Sequence, residues 1–241
     1  MKKEWFETWF DTRYYHLLYQ HRDENEAHRF IDALLSFLTP KKHAKFLDVA
    51  CGKGRHSIQI NAAGFEVVGV DLSNNSIASA REHENDRLEF RVQDIRESLG
   101  DTEFDYALNL FTSFGYFDTR QEHLRALCNI YQALKDDGVF VLDYLNKKHV
   151  EQNFSEYQTL EIDGVHFEIN KSIDGEHISK KIMVSDGNEE HHYEERVMAF
   201  SKSDLIGLVR EAGFSISSMH GDYNLNPSTD DAPRVIIIAK K

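Results

Sequence analysis

The chain has 241 residues, 41% of them hydrophobic, and a net charge of -13. That apolar share supports one packed domain, with room for a sizeable insertion, and excludes general disorder. The acidic balance disfavours nucleic acid as a partner, since Lys41, Lys42 and Lys45 make only a small basic cluster that reads as a solvated turn.

In chain order, the aromatic and basic stretch 10–22 comes first. Over 26–38 the residues Ala27, Phe30, Ile31, Leu34, Leu35 and Leu38 then follow helical spacing, and Pro40 marks the stop. Residues 45–50 read as a buried strand running into a glycine turn, Cys51-Gly52-Lys53-Gly54, and a helix follows that ends near Gly64. A second strand is predicted over 65–71 and a second helix over 73–83, with Ser73 or Asn74 as its cap. Short strands over 88–92 and 104–110, a helix through Leu124, Leu127, Tyr131 and Leu134, and a strand over 139–144 complete an alternation that predicts a parallel sheet covered on both faces.

After Asn146 the rhythm changes to runs of period two at 159–162, 165–173, 178–184 and 193–199. They are separated by Asp163-Gly164, Asp174-Gly175 and Asp186-Gly187, which are hairpin signals. An inserted antiparallel meander is expected there. Ser201-Lys202-Ser203-Asp204 then opens a capped helix, and strands over 215–220 and 234–239 close the chain.

Chemistry concentrates at strand ends. A strand that delivers Gly52 and Gly54 to a helix N-terminus lets backbone N–H groups approach a polar ligand closely. Asp71, 19 positions after Gly52, ends the second strand, where a carboxylate can accept from a ribose diol. Asp94 ends the third strand. Taken singly, the turn also reads as a tight connection without a ligand, and Asp71 reads equally as a helix cap. Together with Asp48, the acidic positions mark the carboxyl edge of three consecutive strands, where open α/β sheets bind ligands.

These motifs resemble those of class I S-adenosylmethionine-dependent methyltransferases. The first is Phe46-Leu47-Asp48-Val49-Ala50-Cys51-Gly52-Lys53-Gly54, the second Val68-Gly69-Val70-Asp71-Leu72-Ser73, and the third Val92-Gln93-Asp94-Ile95. The resemblance implies an α/β Rossmann-like fold, a seven-stranded mostly parallel sheet with helices on both faces plus the inserted meander. It implies a methyltransferase domain over 41–150 and 201–241, an N-terminal helical lid over 1–40 and the insertion over 151–200. The implied cofactor is S-adenosyl-L-methionine. Asp48, Ala50, Cys51, Gly52 and Gly54 would hold its methionine end, Asp71 its ribose, and Leu72, Asp94 and Ile95 its adenine, with Asn109 and Leu110 completing the cofactor set.

For the acceptor, the aromatic segment 109–117 is similar to that of amino-sugar N,N-dimethyltransferases and, more distantly, glycine N-methyltransferases. A small polar acceptor with an N- or O-nucleophile is therefore expected. Substrate-binding candidates are Phe111 and Phe114, with Tyr15, Tyr19 and Arg22 from the N-terminal stretch. Tyr116, Asp143 and Tyr144 are the candidate catalytic groups, and no general base stands out. The alternatives are a catalytically silent cofactor-binding protein and a dinucleotide-dependent dehydrogenase, although the latter usually has glycine where this chain has Ser57. No histidine shows metal-ligand spacing, so no metal is expected. Cys51 and Cys128 outline no disulfide framework, and the sequence shows neither a signal core nor an apolar membrane span, so a cytoplasmic location is expected. The β insertion is the candidate surface for a homodimer.

Overall fold

The structure, a computed structural model, describes residues 5–19 and 24–241. Its elements in chain order begin with three helices, α1 (Trp5–Trp9), α2 (Arg13–Leu18) and α3 (Glu24–Leu38). An alternating region follows: β1 (Lys45–Val49), α4 (Arg55–Ala62), β2 (Glu66–Asp71), α5 (Asn74–Ala80), β3 (Leu88–Val92), β4 (Phe104–Asn109), α6 (Arg120–Ala133) and β5 (Leu134–Leu145). A short helix α7 (Lys147–Gln152) leads to β6 (Tyr157–Ile162), β7 (Val165–Ile173), β8 (His177–Asp186) and β9 (Glu189–Met198). The chain ends with α8 (Lys202–Glu211), β10 (Ser215–His220) and β11 (Arg234–Lys240). None of the described helices is long and apolar enough to cross a membrane.

Seven strands form one sheet in the order β10-β11-β5-β4-β1-β2-β3. Its β5-β4-β1-β2-β3 part is parallel, while β11 runs antiparallel to both of its neighbours. The expected fold class is the observed one. Apolar runs such as Phe46-Leu47 and Ile236-Ile237-Ile238 are buried because helices cover both faces, giving one core cluster on each side. The strand order reverses between β1 and β4, so the crevice at this switch point opens beside the ends of β1, β2 and β4.

The meander is a separate four-stranded antiparallel sheet, β6-β7-β8-β9, whose Asp163-Gly164 turn has both residues at positive φ. Its apolar face does not pack on the large sheet alone. Val165, Phe167, Ile169, Ile182 and Val184 form a third cluster with Trp9, Tyr14 and Leu18 of the N-terminal helices.

Two local devices were not read from the sequence. Thr119 and Glu122 form a capping box that starts α6 earlier than its apolar spacing suggests, and Asn146 caps α7 through Lys148 N.

Gly69 in the middle of β2 has a packing reason. A Cβ there would lie 2.6 Å from the Phe90 ring and 2.9 Å from Cys51 Sγ. Gly69→Ala is expected to destabilise the fold by about 1–3 kcal/mol through overpacking, measured by urea denaturation; an unchanged midpoint would show that Phe90 gives way freely.

Candidate functional site

The carboxyl ends of β1 and β2 are joined by hydrogen bonds rather than by proximity alone. Cys51 N donates to Val70 O at 3.0 Å, and Gly52 N donates to Asp71 Oδ2 at 2.8 Å. The second oxygen of Asp71 accepts from Ser73 N at 2.8 Å, so one carboxylate orients both the glycine turn and the start of α5. Burial raises the Asp71 pKa despite these bonds. The turn uses Ala50, Gly52 and Gly54 at positive φ. A Cβ on Gly52 would meet no protein atom within 4 Å, so the room in front of it is left for something other than side chains.

That room consists of adjoining chambers. One, of ≈ 150 Å³, is lined by Gly52, Asp71, Leu72, Asp94 and Ile95 on the sheet side and by Phe6, Phe10 and Tyr15 on the other. A second, of ≈ 620 Å³, runs past Asp48, Ala50, Cys51, Gly52 and Leu110 toward Lys53 and His56. Tyr15, Ala50, Gly52, Ser76, Ser113 and Tyr116 border both. A third, of ≈ 350 Å³, lies beneath the meander between Phe111, Tyr116, Lys180, Glu195, Tyr223 and Arg234. Tyr116 borders all three.

Asp48 is 1% exposed and accepts from Ser57 Oγ at 2.6 Å. Burial pushes its carboxyl up to about 6, with the Ser57 bond acting in the opposite direction. Ser57, the residue at the expected third-glycine position of a dehydrogenase, is therefore engaged in holding this acid. Burial also lifts the Cys51 thiol well above its usual value, which makes it a packing residue rather than a nucleophile. Asp94 is held by Arg96, whose Nη2 lies 2.7 Å from Oδ2 and whose backbone N–H donates to Oδ1 at 2.8 Å. Burial acts upward on Asp94, but the Arg96 bonds prevail and its pKa is lowered.

Several expected site residues are placed differently. Asn109 is fully buried behind the cavity wall, where its Nδ2 donates to Val49 O at 3.1 Å. Tyr144 is fully buried, and its hydroxyl donates to Met198 O at 2.6 Å, away from all three chambers. Asp143 is also fully buried: Oδ2 accepts from Phe111 N and Oδ1 from Arg234 Nε, both at 2.7 Å. Neither of these two candidate catalytic groups lines a chamber; both make their hydrogen bonds inside the wall. Of the three candidates, only Tyr116 faces the chambers, and its hydroxyl donates to Thr112 O at 2.7 Å. Phe111 lines two chambers and stacks on His56, whereas Phe114, 1% exposed, touches one chamber from within the core. Tyr15 lines the first two chambers, and Tyr19 lines the second. Arg22 lies outside the described residues.

The chamber beneath the meander was missed at the level of sequence. Its signal was a parity violation: Lys180 shares a strand face with Ile178 and Ile182, and Glu195 shares one with Tyr193 and Val197. The two charged residues are direct cross-strand partners, with Nζ 2.8 Å from Oε2. Charged residues on an apolar face imply a partner or a cavity.

Comparison with known proteins agrees with this geometry. A family model described as a methyltransferase domain matches residues 40–199. A glycine/sarcosine N-methyltransferase of Aphanothece halophytica is 26% identical over 228 residues, 91% of this chain and 83% of its own. A dTDP-3-amino-3,4,6-trideoxy-alpha-D-glucopyranose N,N-dimethyltransferase of Streptomyces venezuelae is 28% identical over 131 residues, 54% of each chain. Among solved structures, an S-adenosylmethionine-dependent methyltransferase from Clostridium acetobutylicum ATCC 824 shares the fold, with a TM-score of 0.79 at 19% identity over 94% of this chain and 95% of that one.

The raised Asp48 pKa has a consequence for stability. In the folded protein the acid binds its proton up to about pH 6, but in the unfolded chain only to the ordinary carboxyl value of 3.8. Its contribution is therefore full below the unfolded pKa and is lost as pH rises through the folded one. Wild type should lose up to ~3 kcal/mol of stability relative to Asp48→Asn between about pH 4 and pH 7. Urea denaturation of both proteins without ligand measures this, and a pH-independent difference would refute it.

Proposed function

The chain belongs to the methyltransferase-domain family and is an S-adenosylmethionine-dependent methyltransferase; from that premise we propose that it methylates a small polar acceptor, an amine, seated in the chamber beneath the meander. The observation that carries this reading is the continuity at Tyr116, which borders both chambers on the glycine-turn side and the one beneath the meander. The amine assignment is supported by the relatives, two of which are named as N-methyltransferases of glycine and of an amino sugar.

S-adenosylmethionine supplies an electrophilic methyl group on a sulfonium. The protein's part is to bind, orient and exclude water. In this reading Asp71 holds the ribose, Leu72 and Ile95 pack against the adenine, and the amide of Ile95 with the Asp94 carboxylate reads its edge. The turn through Ala50, Cys51, Gly52 and Gly54, with Asp48 behind it and Leu110 opposite, receives the amino-acid end. Residues 41–150 and 201–241 form the cofactor-binding domain and 151–200 the roof of the acceptor chamber; of the expected lid, described residues 5–19 face the cofactor chamber, whereas α3 packs through Phe30, Ile31 and Leu34 onto the main sheet. Phe111 and Tyr116 flank the passage, where ring faces favour a cationic centre by about 0.5–2 kcal/mol. No strong base is required of the wall if the acceptor amine arrives neutral.

Asp71→Ala should weaken S-adenosylhomocysteine binding at least about tenfold in isothermal titration, since the ribose acceptor is lost together with the Gly52 and Ser73 bonds that shape the turn. Wild-type affinity in that variant would remove the ribose assignment. A panel of amines, amino acids and amino sugars assayed for S-adenosylhomocysteine release tests the acceptor class, with Tyr116→Ala expected to lower turnover by about 10–100-fold. Turnover confined to hydroxyl acceptors would overturn the amine assignment, and cofactor binding without turnover on any class would favour a silent binding protein.

A further inference from the structure

Residues 5–19 form a strap with two faces. Phe6, Phe10 and Tyr15 line the ≈ 150 Å³ chamber opposite Asp71 and Leu72. The other face, Trp9, Tyr14 and Leu18, packs into the apolar cluster of the meander. The strap thus forms the wall of the chamber that faces Asp71 and Leu72, and its position sets the width of that chamber.

What holds it down is specific. Glu195 Oε1 accepts from Trp9 Nε1 at 2.8 Å and from the Tyr19 hydroxyl at 2.6 Å. Its Oε2 accepts from Lys180 Nζ at 2.8 Å, and Lys180 Nζ also donates to Tyr19 Oη at 2.7 Å. The Glu195 side chain is only 14% exposed. One carboxylate thus gathers two points of the strap, Trp9 before the α1–α2 break and Tyr19 after α2. Burial acts upward on its pKa, but Lys180, Tyr19 and Trp9 outweigh that and keep it ionised. At the far side Asp11 joins the strap to the start of α5, accepting from Ser73 Oγ at 2.6 Å and Asn75 Nδ2 at 2.7 Å.

We propose that Glu195 is a positioning residue for the cofactor: by bonding Trp9 and Tyr19 it latches the strap so that Phe10 and Tyr15 close the nucleoside chamber, and it sets how fast the cofactor leaves. This rests on the cofactor occupying the chamber beside Asp71. Lys180 is the counter-charge that keeps the latch ionised, and the pair stands in the wall of the acceptor chamber as well.

The test uses the full chain with S-adenosylhomocysteine as probe. In Glu195→Gln the dissociation rate, followed by stopped-flow displacement, should rise at least about tenfold, and in Tyr19→Phe at least about threefold. Amide hydrogen exchange should increase over residues 5–19 in both variants and stay unchanged in β1, β2 and β4. Arg120→Ala, which removes a distant surface pair with Glu211, should leave both readouts at wild-type values. Glu195→Gln leaves the Lys180 ammonium without its counter-charge; if that variant does not fold, Tyr19→Phe and the double variant Glu195→Gln/Lys180→Met carry the measurement. Wild-type dissociation and exchange in the variants that fold would overturn the latch. Failure of the wild-type protein to bind S-adenosylhomocysteine would instead overturn the cofactor assignment on which it rests.

Discussion

The bond from Gly52 N–H to the Asp71 carboxylate, at 2.8 Å, is the constraint from which the site follows. It extends the pairing of β1 with β2 beyond the last ladder bond, tying the glycine turn after β1 to the side chain that ends β2. With its other oxygen on Ser73 N, the same side chain sets the start of α5. A carboxylate is suited to this because each oxygen has a further lone pair for a ligand hydroxyl while it organises the backbone. Its burial is tolerable because oriented N–H donors, rather than a salt bridge, surround it.

A second anchoring system serves the other side of the cleft. Phe111 and Thr112 are consecutive non-glycine residues at positive φ, a conformation that costs of order 1–3 kcal/mol each. Asp143 accepts from Phe111 N through its side chain and from Thr112 N through its backbone carbonyl, while Arg234 reaches Thr112 Oγ1 at 2.8 Å. Tyr116 closes the loop by donating to Thr112 O. The strained segment is over-determined, and the half-buried rings of Phe111 and Tyr116 are consequently held at the mouth between chambers. Asp143 and Arg234 come from neighbouring antiparallel strands of the main sheet, so the rigidity of that sheet is transmitted to the loop.

The meander and the N-terminal strap depend on each other in the same way. Neither has an apolar face that the large sheet alone could cover. Phe167 and Trp9 are almost fully buried only because the two pieces meet. The strap is thereby given a second attachment besides Asp11, and the face it presents to the nucleoside chamber is aromatic.

Much of this was legible in order along the chain. Period two and the Asp-Gly pairs locate β6 to β9, and the alternation of buried strand with helix determines the parallel sheet. The motifs around Asp48, Asp71 and Asp94 lie at strand ends, which strand polarity alone brings to one edge. Asp143 and Tyr144 also lie near that edge, but the side of the wall they face depends on Arg234 and Met198, which are distant in sequence. Glu195 and Lys180 showed themselves only as charged residues on an apolar face, without indicating that Trp9 and Tyr19 would meet them. Local sequence fixes backbone period, turns and the polarity of each strand, because these arise from interactions a few residues apart. Which polar groups are spent inside the wall and which remain facing the cavity was decided by tertiary structure, because hydrogen bonds between residues far apart in the chain depend on packing that no local pattern encodes.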